Sequence, residues 1–91
     1  MAGFTVTRSH SMSRADVREA AEELAREMKN QYGLSYSWSG DTARFRSSGV
    51  EGVLEVDDDS ISVKVKLGLL ASAFERPLRR AVNDYLDEHV G

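Results

Sequence analysis

The chain contains no cysteine, which excludes disulfide staples and thiolate metal sites. Small secreted domains usually depend on such staples, so a cytoplasmic location is expected. The longest uninterrupted aliphatic stretch is Leu69-Leu70-Ala71, far too short to span a bilayer. The opening residues, MAGFTVTRSH, lack the roughly 7–15-residue apolar core of a signal peptide. No serine sits in a Gly-x-Ser-x-Gly elbow. Gly49-Val50-Glu51-Gly52 lacks the lysine and the following helix of a phosphate loop. The two histidines, His10 and His89, stand far apart in the chain with no second ligand at metal spacing.

What is present describes one small globular unit over residues 1–91. Hydrophobic residues make up 41% and charged residues 30%. The apolar residues are regularly spaced, so disorder is not expected. A chain this short leaves a thin core. Its formal charge is −3, from 12 basic and 15 acidic residues. That balance argues against nucleic acid, whose binding calls for a net cationic footprint.

Apolar periodicity predicts the elements. Phe4 and Val6 alternate with Thr5 and Thr7 in a short strand, about Phe4 to Arg8. A helix follows, with Ser13 as N-cap and Asp16 at its third position. Its apolar stripe is Val17, Ala20, Ala21, Leu24, Ala25, Met28 and Tyr32, and Gly33 stands where helices end. Four alternating runs come next, separated by Gly40-Asp41, Ser47-Ser48-Gly49 and Asp57-Asp58-Asp59. These predict an antiparallel meander. The last element reads as a helix from about Leu69 to His89. Pro77 interrupts it, predicting a kink or a short helix followed by a longer one, with Ser72 and Glu75 able to cap the fresh start. The expected fold is α+β, order β-α-β-β-β-β-α. It has two layers, with an antiparallel sheet of four to five strands and both helices on one face.

Few residues invite a chemical role. Asp57-Asp58-Asp59 lacks the spaced oxygens of a calcium loop and reads as a solvated turn. Tyr36 and Trp38 fall on the core-facing register. Gly52 marks a bulge or a close approach of a helix. No catalytic, cofactor-binding or metal-binding residue is assigned. The candidate partner contacts are Arg8 and His10, polar at a loop where packing does not require them, and Leu69, Leu70 and Phe74. If those three stay exposed they mark a contact surface; otherwise they close the core.

Taken in order, Thr7-Arg8-Ser9-His10, Tyr32-Gly33-Leu34, Tyr36-Ser37-Trp38-Ser39-Gly40-Asp41, Phe45-Arg46, Gly49-Val50-Glu51-Gly52 and Leu67-Gly68-Leu69-Leu70 with Phe74 resemble the polyhydroxyalkanoic acid system family. These are small bacterial proteins associated with polyester storage granules. Pro77 departs from the family's final helix. The resemblance implies a non-enzymatic accessory role in granule formation or regulation, through the granule surface or a granule-associated protein. It supplies no catalytic residues. Two other readings stand beside it. One is a homodimeric interaction or regulatory module, paired through a sheet edge or through the polar outer face of the sheet. The other is a small-ligand binder or enzyme, with a pocket between helices and sheet near His10.

Overall fold

The computed structural model describes residues 2–90; Met1 and Gly91, the outermost positions of the expected unit, lie outside the described residues. The elements are β1 (Ala2–Ser9), α1 (Arg14–Tyr32), β2 (Ser35–Ser39), β3 (Thr42–Ser47), β4 (Val50–Val56), β5 (Ser60–Leu67), a 3-10 helix (Leu69–Phe74) and α2 (Glu75–His89). The strands form one antiparallel sheet in the order β1-β5-β4-β3-β2. β2 to β5 follow as a meander, and β1 joins beside β5. The helix between β1 and β2 therefore carries the chain from one edge of the sheet to the other.

One apolar core fills the space between sheet and helices. Alternation on the strands sends Phe4, Val6, Ala43, Phe45, Leu54 and Val63 inward, among others. From the helices, Val17, Ala20, Ala21, Leu24, Ala25 and Met28 of α1 and Leu78, Val82 and Leu86 of α2 meet them. The α+β fold and its element order are those expected.

Helix α1 begins and ends as its capping chemistry dictates. The Asp16 N–H donates to Ser13 Oγ at 3.1 Å. Gly33, at φ 70°, returns its N–H to Lys29 O at 2.9 Å.

The final element differs from a single helix. It is split between Phe74 and Glu75, the second of the two expected outcomes. Pro77 is the third residue of α2, where an N–H would have no intrahelical partner. In one continuous helix its ring would collide with the carbonyl of Ala73. The capping expected from Ser72 and Glu75 is not formed. Ser72 Oγ instead donates to Leu69 O at 2.9 Å, and α2 starts from Phe74 without a side-chain cap. Gly52 is no bulge, since the ladder runs through it with Phe45 and Val65 opposite. A Cβ there would lie 3.1 Å from Lys64 O and 3.7 Å from the Phe45 ring.

Candidate docking site

The strand ends define two poles. One pole gathers the β1–α1 loop and the Gly40-Asp41 and Asp57–Asp59 turns. The other gathers the Ser48-Gly49 turn, the end of α1, the 3-10 helix and the start of α2.

At the first pole, Arg8 and His10 have structural partners. Arg8 Nε donates to Asp87 Oδ1 at 3.0 Å, and one of its terminal nitrogens donates to Asn83 Oδ1 at 2.6 Å. The guanidinium thereby ties β1 to α2. His10 is buried, and its own N–H donates to Asp59 O at 2.9 Å. Its Nδ1 accepts from the Met12 N–H at 3.2 Å, so Nε2 carries the proton that it donates to Asp57 O at 2.9 Å. Both ring nitrogens are occupied in fastening two loops together. Arg14 adds a third clamp, to Asp41 Oδ2 at 2.6 Å, Asp58 Oδ1 at 2.8 Å and Val56 O at 3.1 Å. The aspartate turn is thus a solvated turn held by an arginine.

At the second pole, three large apolar side chains face solvent: Leu69 is 86% exposed, Leu70 96% and Phe74 52%. Leu70, Phe74, Leu78, Ala81, Val82, Tyr85 and Leu86 share one helical spacing over the last element, but that apolar stripe is broken, and of these only Leu78, Val82 and Leu86 are buried. A 3-10 helix advances about 120° per residue, against 100° in an α-helix, so the two segments present different faces. From the 3-10 segment only Ala71 turns inward.

The backbone of this tip is anchored to the sheet. The Gly68 N–H donates to Gly49 O at 2.7 Å, and the Ala71 N–H donates to Gly68 O at 3.1 Å. Gly49 has φ 78°, and a Cβ there would sit 3.3 Å from Ala71 Cβ. The bare Gly49 backbone leaves room for Ala71 to pack close against the turn.

Two concave surfaces lie elsewhere on the molecule. The outer face of the sheet forms an open concavity of about 740 Å³. Register sets Arg44 and Arg46 on β3, Glu51, Val53 and Glu55 on β4, and Lys64 and Lys66 on β5 side by side. Arg46 lies directly opposite Glu51, at 3.8 Å, with both side chains well exposed. Acid between flanking bases is ordinary cross-strand pairing of a solvated face. The second surface is a groove of about 300 Å³ between the helices, walled in part by Glu23, Glu27, Tyr85 and His89. There Tyr85 donates to Glu23 Oε2 at 3.0 Å and its ring stacks on His89, centroids 4.2 Å apart. Burial, with the bond to Glu23 and the charges of Glu23 and Glu27, pushes the Tyr85 hydroxyl pKa well up.

Tyr36 and Trp38 stay on the core side, each half-buried. The Trp38 indole N–H donates to Glu22 Oε2 at 3.0 Å, and the Arg18 guanidinium lies 3.3 Å from the ring centroid. The helix closes over the ring where a ligand would have stacked. Among the described residues no group of three His, Asp or Glu side chains could hold a metal ion, and no helix is long and apolar enough to cross a membrane.

These features define a class: a small two-layer α+β protein that consumes its conspicuous polar residues in structure and holds an apolar tip out at one pole. The chain belongs to the family described as "putative polyhydroxyalkanoic acid system protein", whose model matches residues 4–90. No curated protein and no solved structure matches it.

Proposed function

We propose that this protein is a non-enzymatic accessory factor of polyhydroxyalkanoate formation or regulation, acting in the cytoplasm by docking on the storage granule through Leu69, Leu70 and Phe74. The observation that carries the reading is the exposure of those three side chains at one pole. Leu70 is all but bare. Leaving a large aliphatic side chain in water forgoes about 1.5–3 kcal/mol of burial, and three clustered together form the kind of patch that marks a contact surface. Membership of the polyhydroxyalkanoic acid system family supports the granule as the setting. The non-enzymatic reading rests on Arg8 and His10, whose polar atoms are engaged in fastening loops and helices.

Co-sedimentation with isolated granules, native and protein-stripped, tests the proposal. Binding to both, lost on Leu70→Asp, supports direct contact with the granule body. Binding to native granules alone supports a granule-coat protein as partner. Binding to neither refutes the granule-docking reading. The same tip could instead be covered by a second copy of the chain. In that case light scattering would show a dimer that Leu70→Asp dissociates.

A further inference from the structure

The charges of the molecule are sorted along its strands. The tip pole carries Arg46, Lys66, Arg76, Arg79 and Arg80, against Glu51 and Glu75. Lys29 and Glu27, in the last turns of α1, offset one another. Arg76, Arg79 and Arg80 occupy the first two turns of α2, immediately after the exposed Phe74, and all three are exposed. A hydrogen bond of 3.4 Å from the Tyr32 hydroxyl to Pro77 O places the end of α1 beside them. Among the described residues, Lys66, Arg76, Arg79 and Arg80 form no ion pair, and Arg46 forms only the loose one with Glu51.

The opposite pole is acidic. Asp16, Asp41, Asp57, Asp58, Asp59, Asp87 and Glu88 gather there; of its arginines, Arg8 and Arg14 are paired with carboxylates and Arg18 lies over the Trp38 ring. The eight residues of β5 separate the poles by about 25 Å. The Debye length at physiological salt is about 8 Å. The acidic pole is therefore screened from the tip, and the net charge of −3 does not describe the field an approaching surface meets.

We infer that the tip docks end-on to an anionic phospholipid surface, with Leu69, Leu70 and Phe74 entering the acyl boundary and Arg76, Arg79 and Arg80 lying among the headgroup phosphates. Exposed apolar side chains beside unpaired cations are the requirements of interfacial binding. The acidic pole is repelled by the same surface, so the molecule is oriented as well as held. The inference rests on the docking role proposed above for the same tip and names the chemistry of what it meets.

Vesicle co-sedimentation tests it. The full chain is mixed with vesicles of pure phosphatidylcholine, or of phosphatidylcholine and phosphatidylglycerol in equal parts. Binding is expected to the anionic vesicles only, and to be lost at ~1 M salt, where the Debye length falls to ~3 Å. A surface-apposed cation contributes about fivefold in affinity, so Arg76→Ala, Arg79→Ala and Arg80→Ala together lower binding about 100-fold. Leu70→Asp abolishes it. Urea unfolding of each variant at the wild-type midpoint confirms that the fold is intact. Equal binding to neutral vesicles overturns the inference. So does an absence of binding to either vesicle, and if stripped granules still bind, the docking role survives alone. Anionic-vesicle binding with no granule binding upholds the inference and refutes the granule-docking reading.

Discussion

Two leucines of α2 and its approach make opposite predictions. Leu78 is 1% exposed and Leu70 is 96% exposed, though they stand only eight residues apart in one apolar series. Leu78→Ala removes three buried carbons from between helix and sheet, a change that destabilises by about 2–5 kcal/mol. A domain of this size has only about 5–14 kcal/mol in total. With about 4–8 °C lost per kcal/mol, the melting temperature should fall by at least about 8 °C. Leu70→Ser removes a side chain that touches almost nothing and should stay within about 0.5 kcal/mol of the parent. Urea unfolding followed by Trp38 fluorescence measures both. Equal, large losses would refute the reasoning, because Leu70 would then be buried in solution. If the Leu70→Ser loss also grew with protein concentration, the covering surface would be a second copy of the chain.

His10→Ala should destabilise by about 1–3 kcal/mol, since it leaves the Met12 N–H and the Asp57 carbonyl without their partner. Granule sedimentation of the folded variant should be unchanged, and a selective loss of binding would return His10 to the contact surface. The raised pKa of Tyr85 makes stability fall with alkali. The folded protein holds the phenolic proton to higher pH than the unfolded chain, whose value is 10.0. The contribution is complete below pH 10 and is lost as pH rises from there toward the folded value. Tyr85→Phe should therefore show a shallower decline in urea midpoint above pH 10 than the parent, and identical slopes would refute the assignment.

The elements of the fold were legible because their signals are local. Period-two alternation, the Ser13 cap and the glycines at 33, 40 and 49 each act over a few residues. The burial of alternate strand residues and of the Val17-to-Met28 stripe follows from the same repeats. The antiparallel meander needed only tight turns between successive strands. Family membership was legible too, in the order of motifs along the chain.

Tertiary structure alone decided the partners of polar residues and the fate of the apolar tip. Arg8 meets Asp87 and Asn83, and Arg14 meets Asp41 and Asp58, across separations of 27 to 79 residues. No local repeat encodes such pairs. Leu70 and Phe74 shared a helical stripe with Leu78, Val82 and Leu86, and helical spacing could not say that the stripe would break. Pro77 signals a kink or a split within the sequence itself, but which side chains are left outside depends on the bond of Gly68 to Gly49, which sets where the 3-10 turn leaves the sheet. The gathering of cations at one pole likewise depends on which strand ends the antiparallel register brings together. A chain read in order shows how many charges it carries, and only its folding path through space shows which of them share a surface.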